Sequence, residues 1–295
     1  MISIRLLPAV LIFSICVQHT SVANKLSIQV MTNDSIVQPG ASLQLVSSGF
    51  KFTEGPATDK HGNVFFTDQP NDKIWKYDTD GKLSVFLDHT GRSNGMYFDS
   101  RGDLFSCADA NNEIWKFTPG GKSSVVFSGD KEHRLNGPND LWIKANGDIY
   151  FTDPFYARDY WPEKRATPAP QVVYYLPKGK QTPVAVATDL VKPNGIVGTP
   201  DGKFLYVADI GGKKTYRFRI QKDGSLSDKQ LVVEQGSDGM TIDNQGNIYL
   251  TGKGVTVYDK DGKFIRQIDV PANWTANVCF GGKDRNILFI TASES

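Results

Sequence analysis

The sequence has little cysteine, and its charges of opposite sign balance. Three cysteines occur in 295 residues, and only Cys107 and Cys279 lie outside the apolar N-terminal segment. This scarcity excludes a disulfide framework. Lys plus Arg number 33 against 32 for Asp plus Glu, which leaves a net charge of +1. No global field therefore favours nucleic acid or an anionic membrane, and a small, locally recognised ligand fits better.

Several catalytic signatures are also missing. The chain has no Gly-x-Ser-x-Gly elbow, no phosphate-binding Gly-rich loop and no His-Glu-x-x-His motif. Its four histidines, His19, His61, His89 and His133, lack the spacing of zinc ligands. The sequence thus gives no support to the enzyme classes that these motifs mark.

The apolar run at the N-terminus is short for a membrane span. Arg5 precedes the run at 6–17, and Ser21-Val22-Ala23 has the small residues of a cleavage site. This pattern predicts a signal peptide over 1–23, and hence a secreted or periplasmic protein that is free of the membrane after cleavage. A membrane anchor is the alternative, but Pro8 interrupts the run. A polar arm over 24–42 would then precede a folded domain at 43–295.

What the sequence does contain is a repeat. A Glu, Asp or Asn recurs roughly every 40 to 55 residues and is followed by a turn and an apolar strand with a polar end. Short strands and Gly turns at this period are typical of β-propeller blades. The pattern predicts an all-β fold, a six-bladed β-propeller. The six copies begin at Glu54, Asn94, Asn139, Asn194, Asp238 and Asn277.

Two segments depart from the plain repeat. The interval after Asn139 is the longest, and its excess residues form an aromatic, proline-rich insertion at 154–170. Such a loop is expected to be either a lid over a site or a packing flap. The last copy has only two recognisable strands, so a strand at 43–46 is expected to join the last blade and close the ring.

The same position in every blade of a propeller faces a common axis. The carboxylates of Glu54 and Asp238 and the amides of Asn139 and Asn194 are therefore expected to meet there. This set of hard oxygen donors suits Ca²⁺, or Mg²⁺ with retained water, and Mn²⁺ and Zn²⁺ are kept as alternatives. Asp238 is the candidate to take a proton from water or to attack directly, and Glu54 is the candidate anchoring ligand.

A structural interpretation of these residues is also open. Asn and Asp often satisfy strand ends and tunnel water. We interpret Asn94 and Asn277 in this way, with contact to the site through a ligand residue or a water. Glu54 fits the structural interpretation less well, because a carboxylate on a crowded axis needs a cation or a donor to offset its desolvation.

Four segments resemble the site motifs of the SMP-30/gluconolactonase/luciferin-regenerating family of six-bladed propellers. The resemblance spans about residues 43 to 292 and implies a metal-dependent hydrolase of sugar lactones. It also implies that Glu54, Asn139, Asn194 and Asp238 surround a Ca²⁺-like ion, with Asp238 as acid/base or nucleophile. The matching segments are Phe52-Thr53-Glu54-Gly55-Pro56, Leu135-Asn136-Gly137-Pro138-Asn139-Asp140-Leu141, Val191-Lys192-Pro193-Asn194-Gly195-Ile196 and Gly236-Ser237-Asp238-Gly239-Met240.

The resemblance extends to the substrate. Arg134, Asn136 and Asp140 lie in a matched segment and are candidate substrate-binding residues, or supports for the ligands. The expected partner is a small-molecule lactone, such as glucono-1,5-lactone, acted on by a monomer or small homo-oligomer. Hydrolysis of organophosphates or other lactones at the same site, and a non-enzymatic binding propeller, stay open as alternatives. The family usually adds a final strand that this chain lacks, so the last blade is expected to be truncated or closed differently.

Overall fold

A computed structural model describes residues 2–5, 36–129, 135–161 and 168–295. β-Strands form nearly all the regular structure in these ranges, and no helix in them is long and apolar enough to cross a membrane. A short 3-10 helix occupies Gln69–Asn71. The strands are β1 (Ile2–Arg5), β2 (Gln44–Leu45), β3 (Thr53–Thr58), β4 (Val64–Asp68), β5 (Lys73–Tyr77), β6 (Leu83–Asp88), β7 (Ser93–Phe98), β8 (Leu104–Ala108), β9 (Glu113–Phe117), β10 (Ser123–Ser128), β11 (Leu141–Ile143), β12 (Ile149–Asp153), β13 (Val172–Leu176), β14 (Val184–Ala187), β15 (Pro193–Gly198), β16 (Phe204–Asp209), β17 (Lys214–Ile220), β18 (Leu226–Val233), β19 (Met240–Ile242), β20 (Ile248–Gly252), β21 (Gly254–Tyr258), β22 (Phe264–Ile268), β23 (Asn277–Gly281) and β24 (Ile287–Thr291).

Five sheets are blades of four consecutive antiparallel strands. From the axis outward they run β3 to β6, β7 to β10, β11 to β14, β15 to β18 and β19 to β22. The first strand of each blade lies against the first strand of the next, so the first strands follow one another around the axis in chain order. The all-β propeller that the repeat predicts is therefore confirmed.

A sixth four-stranded sheet joins the two ends of the chain. Its order from the axis outward is β23, β24, β1 and β2, and its inner strand β23 lies between β19 and β3. β1 pairs with β24 and places Ile2 opposite Ile290. The prediction of a six-bladed ring is thus confirmed in part. Five blades are continuous in the chain, and the sixth sheet is a composite of both termini.

The closing strand differs from the one that the sequence predicts. The strand expected at 43–46 is reduced to Gln44–Leu45, and it reaches the last sheet only through β1, which pairs with β24 itself. β1 lies in the segment predicted to be a signal peptide. Residues 6–35 are outside the described ranges, so the signal peptide over 1–23 and the arm over 24–42 stay predictions.

The second strand of a blade forms its core. Every residue of β4, β12 and β20 is buried, since each strand has a sheet neighbour on both sides and a blade against each face. Their sequences carry the β-branched and aromatic residues that fill such a layer. Phe65 of β4, for instance, meets Phe86 at 4.9 Å and Phe98 of the next blade at 5.1 Å between ring centroids.

Candidate active site

A cavity of about 370 Å³ lies at the end of the axis where the inner strands begin. Four of the repeat residues line it, and aromatic and polar side chains from the connecting loops form its walls. This size is in the range of small-molecule sites. The repeat residues in the lining are Glu54, Asn94, Asn139 and Asp238, and the walls comprise Phe52, Gln69, Pro70, Tyr156, Arg158, Ile210 and Trp274.

Threonines at the polar strand ends hold the axial residues of the next blade. Thr67 donates its hydroxyl to the carbonyl of Asn94 at 3.3 Å, and Thr152 donates to the carbonyl of Asn194 at 2.7 Å. Each Thr ends the second strand of one blade, and each Asn stands in the first strand of the following blade. The polar strand ends of the repeat therefore position the site.

Aspartates at the ends of the second strands fix the loops that enter the site. Asp153 accepts hydrogen bonds from the backbone N–H of Asn136 at 2.8 Å and of Gly137 at 2.9 Å. Asp209 does the same for Val191, also at 2.9 Å. Such a bond holds the loop that leads into the axial residue of the same blade. The aspartate at the end of the second strand therefore has a positioning role.

Asp238 is held by two side-chain donors. Asn194 Nδ2 donates to its Oδ1 at 2.8 Å, and Trp274 Nε1 donates to its Oδ2 at 2.6 Å. Burial raises the pKa of Asp238 to about 6, while these two hydrogen bonds and the charge of Arg158 oppose that rise. A carboxyl with this pKa is suited to exchange a proton near neutral pH.

Glu54 is the second carboxylate of the site. Its Oε2 accepts from the backbone N–H of Gly55 at 2.9 Å and from Asn277 Nδ2 at 3.3 Å. Burial first, and then the negative charge of Asp238, raise the pKa of Glu54 well above its usual range. A bound cation would offset the repulsion between these two carboxylates, of which Glu54 is buried and Asp238 is half-buried.

The amide oxygens of the site fit a cation. The Oδ1 atoms of Asn94 and Asn194 are buried and have no hydrogen-bond partner in the described ranges, and Asn139 faces the cavity. Unpaired carbonyl oxygens beside two carboxylates match the donors that Ca²⁺ prefers. No cluster of three or more His, Cys, Asp or Glu side chains suited to a metal occurs among the described residues, as expected when amides supply half of the donors.

The structure brings the four predicted ligands together. Glu54, Asn139 and Asp238 line one cavity, and Asn194 contacts Asp238 directly. Asn277, interpreted from sequence as an indirect contact, donates to Glu54. The geometry fits the predicted ligand set, and metal binding by these residues is taken up below as a proposal.

Two of the predicted substrate residues, Asn136 and Asp140, are not in the lining of this cavity. Asn136 Nδ2 donates at 3.1 Å to the carbonyls of Asp153 and Ala169, which anchors the loop rather than lining the cavity. Asp140 lines a second cavity, of about 410 Å³, at the other end of the inner strands. Arg134 is outside the described ranges. Substrate binding by these three residues therefore stays a prediction.

Asp140 is a buried acid whose charge should weaken the fold. Burial raises its pKa to about 7, although the backbone N–H of Leu141, at 2.9 Å, and that of Ile196 oppose the rise. In the unfolded chain its pKa is about 4. Between these pH values the unfolded state has lost a proton that the folded state keeps, so the free energy of unfolding falls as pH rises.

Asp140→Asn removes this pH-dependent penalty. The quantity of interest is the change in the free energy of unfolding that the substitution causes in chelated protein. We expect this change to favour the folded state by up to roughly 4 kcal/mol more at pH 8 than at pH 4. Urea unfolding at the two pH values measures this difference. Asp148→Asn is the matched control of opposite sign: burial raises the pKa of Asp148, but hydrogen bonds from Lys178 N–H, Asn146 and Tyr175 hold it below its usual range. An equal effect of Asp140→Asn at both pH values would contradict the prediction.

The insertion after Asn139 forms a wall of the cavity. Its residues Tyr156 and Arg158 line the cavity, and Arg158 Nε donates to Asp109 Oδ2 at 2.7 Å. Tyr160 donates to the same carboxylate oxygen, and Trp161 Nε1 donates to the carbonyl of Asp109 at 2.7 Å. The insertion is thus tied to the second blade across the mouth. The sequence left a choice between lid and packing flap, and the described part has features of both.

Four important residues escape the repeat pattern. Asp109, Tyr156, Arg158 and Trp274 lie in connections whose sequences differ from blade to blade. The aromatic content of the insertion was a signal for a site wall. Trp274 gave no signal, because it stands three residues before the repeat position Asn277 and its contact with Asp238 crosses from one blade to the next.

Comparisons with known proteins agree with this geometry. The sequence profile described as the SMP-30/Gluconolactonase/LRE-like region matches residues 38–294. A gluconolactonase of Zymomonas mobilis is 29% identical over 294 residues, covering 89% of this chain and 82% of that protein.

Solved structures share the fold over nearly the whole chain. A structural-genomics crystal structure assigned to the gluconolactonases has a TM-score of 0.78 and 29% identity, covering 87% of this chain and 91% of its own. A gluconolactonase from Xanthomonas campestris has a TM-score of 0.76 and 28% identity, covering 84% and 85% respectively. The profile matches most of the chain, and the chain belongs to the SMP-30/gluconolactonase/LRE-like family.

Proposed function

We propose that this chain is a lactonase that opens sugar lactones, as a gluconolactonase does, in the cavity around Glu54 and Asp238. The observation that carries the proposal is a pair of carboxylates with raised pKa values, Glu54 buried and Asp238 half-buried, in one cavity with unpaired amide oxygens. The relatives named as gluconolactonases support the same reaction class. In this proposal the composite sheet acts as the sixth blade and completes the ring around the site.

The site residues would hold a divalent cation, with Ca²⁺ the best match to hard oxygen donors. Glu54 and Asp238 would supply the charge, and Asn139 and Asn194 would supply neutral oxygens. When bound, such an ion polarises a lactone carbonyl and stabilises the oxyanion that forms on attack by water.

Asp238 is the proposed proton carrier. Its pKa of about 6 leaves it mostly ionised at neutral pH, so it can accept a proton from the attacking water and return it to the leaving alkoxide. The hydrogen bonds from Asn194 and Trp274 fix both carboxylate oxygens and thus the direction of transfer. In a hydrolysis of this kind, water adds to the carbonyl carbon and the ring C–O bond breaks.

The walls of the cavity suit a sugar ring. Phe52, Tyr156 and Trp274 supply apolar surface, and Gln69 and Arg158 supply hydrogen-bond donors. A sugar lactone presents C–H groups on its faces and hydroxyl groups around its edge, which matches a site of aromatic walls with few polar groups.

Metal-dependent hydrolysis tests the proposal. We expect the purified protein to hydrolyse glucono-1,5-lactone, to lose this activity on chelation and to regain it most fully with Ca²⁺, among Ca²⁺, Mg²⁺, Mn²⁺ and Zn²⁺. Acid release, followed with a pH indicator and corrected for spontaneous ring opening, measures the rate. A folded, ion-loaded protein that leaves the lactone untouched would overturn the sugar-lactonase proposal and direct attention to organophosphates, other esters or a binding role.

A further inference from the structure

Two cationic side chains lie close to the ring of Tyr156, which lines the cavity. The guanidinium carbon of Arg158 lies 5.7 Å from the centroid of the Tyr156 ring, and Lys192 Nζ lies 4.4 Å from it. The hydroxyl of Tyr156 in turn accepts a hydrogen bond from Asn194 Nδ2 at 3.0 Å. Both cations therefore stand one tyrosine away from the proposed ligand Asn194.

Arg158 is held in place by one hydrogen bond, and its guanidinium group has further donors available. Its Nε donates to Asp109, a buried carboxylate that also accepts from Tyr160 and from Gln69 Nε2 at 3.0 Å. The two terminal nitrogens of the guanidinium group make no hydrogen bond within the described part of the chain. A guanidinium group held through Nε presents those nitrogens as a pair, which matches the two oxygens of a carboxylate.

Lys192 adds a charge without a counterion. Its side chain is half-buried, and no Asp or Glu in the described ranges lies within 4.0 Å of Nζ. A partly desolvated ammonium group without an acid partner is costly unless something else neutralises it. The tyrosine ring gives only partial compensation.

The charges around the cavity are therefore unevenly distributed. At the floor, Glu54 and Asp238 would balance a divalent cation. Around Tyr156, Asp109 pairs with the guanidinium group of Arg158, and the ammonium group of Lys192 has no acid partner in the described ranges. A neutral ligand would fill the cavity and leave this positive charge without a partner.

We propose that Arg158 and Lys192 form an anion subsite that selects sugar lactones carrying an ionised carboxylate away from the lactone carbonyl. The inference rests on the proposed lactonase function and specifies its substrate class. Arg158 would bind the carboxylate through its terminal nitrogens, Lys192 would add charge from the other side of Tyr156, and Asp109 would be a positioning residue for Arg158.

A matched pair of lactones tests the anion subsite. The γ-lactones of gluconic acid and glucaric acid share one ring and differ only in whether carbon six is a hydroxymethyl group or a carboxylate. We expect kcat/KM to be about tenfold or more higher for the glucaric lactone, and the preference to shrink as salt rises.

Three variants assign the preference. Lys192→Gln removes a charge with no acid partner and is expected to lower kcat/KM for the glucaric lactone about 10- to 100-fold and for the gluconic lactone less than about threefold. Arg158→Gln removes a guanidinium group that also lines the cavity, so it is expected to lower kcat/KM for both lactones, with the larger loss for the glucaric lactone. Lys180→Gln, an exposed lysine in the turn between β13 and β14, is the charge-matched control and should change neither value. Because Arg158→Gln also unpairs Asp109, a thermal unfolding midpoint for each variant separates misfolding from lost recognition.

The outcomes are distinct. A wild-type enzyme that prefers the gluconic lactone, or variants that lose both activities equally, would overturn the anion subsite and leave the lactonase intact. If the protein hydrolyses neither lactone, the lactonase proposal is overturned. Binding of the two open-chain acids, followed by the fluorescence of Trp274, would then decide whether the anion subsite exists. Tighter binding of glucarate than gluconate that disappears in Lys192→Gln would still support it, and equal binding would refute it.

Discussion

Asp238→Asn is expected to lower kcat for lactone hydrolysis by about 10³-fold or more. The substitution removes the proposed proton acceptor and one of the two charges that would hold a cation. It also disturbs the local bonding, because Asp238 accepts on both oxygens, from Asn194 at 2.8 Å and Trp274 at 2.6 Å. An amide has one acceptor oxygen, so its NH₂ group must face one of these donors.

The loss should not come from unfolding. In chelated protein, removal of the Asp238 charge relieves the buried Glu54, whose pKa is raised partly by that charge. The thermal midpoint of chelated Asp238→Asn should therefore equal or exceed that of the wild type. Added Ca²⁺ should raise the midpoint less in the variant than in the wild type, since one charged ligand is gone.

A control in the same blade sharpens the test. Asp243 lies in the turn between β19 and β20 and accepts hydrogen bonds from Gln245, Asn247 and Tyr249, away from the active-site cavity. Asp243→Asn should cost some stability and leave kcat unchanged. Wild-type turnover in Asp238→Asn would remove Asp238 from the mechanism, and a propeller that only binds a partner at its rim would be indifferent to the change.

The axial residues could be predicted from the sequence because they obey a repeat. A repeat fixes the position of each residue within its blade, and closure of the ring then brings equivalent positions together. Glu54 and Asp238 meet in this way although many residues separate them along the chain. Little knowledge of the loops was needed, since Glu54 stands in the inner strand β3 and Asp238 lies two residues before the inner strand β19.

The walls of the site could not be predicted in the same way. Tyr156, Arg158 and Trp274 occur once each, in connections with no counterpart in other blades. Their positions depend on particular long-range contacts, such as the bond from Arg158 to Asp109. Substrate class depends on these residues, which is why the repeat indicated a reaction more readily than a substrate.

The sequence also did not predict which strand pairs with β24 to close the ring, and the reason is related. The last sheet takes β1 from Ile2–Arg5, which lies in the segment that the sequence predicts to be a signal peptide. An apolar segment can satisfy either pattern, because both require little charge and much hydrophobic surface. Pairing with β24 is a property of the open sheet edge, which local sequence does not reveal.

Gly55→Ala is expected to prevent stable folding. Gly55 follows Glu54 in β3 and has a φ of +48°, where an alanine costs about 1 to 2 kcal/mol. A Cβ at this position would also lie 2.0 Å from the carbonyl oxygen of Asn94 and 2.9 Å from the Cα of Gly95. Both are backbone atoms of the adjacent blade, so relief requires separation of β3 from β7.

The steric clash should cost more free energy of folding than the backbone strain does. Forced separation of two packed strands adds about 1 to 3 kcal/mol or more, which together with the strain approaches the whole stability of a typical domain. Gly102→Ala is the matched control, since Gly102 has a φ of +88° and no atom within 4 Å of its added Cβ. Urea unfolding should give a loss of about 1 to 2 kcal/mol for the control and little folded protein for Gly55→Ala.

The difference between Gly55→Ala and Gly102→Ala tests why glycine follows the acidic or amide residue in the repeat. Gly95 and Gly239 likewise face the next blade, with an added Cβ 2.4 Å from Asp140 Oδ1 and 1.9 Å from Asn277 Cγ respectively. Close approach of the inner strands would bring the polar side chains of the axis within reach of the proposed ion. If Gly55→Ala and Gly102→Ala cost the same, backbone strain alone would explain the glycine, and the narrow axis would need another cause.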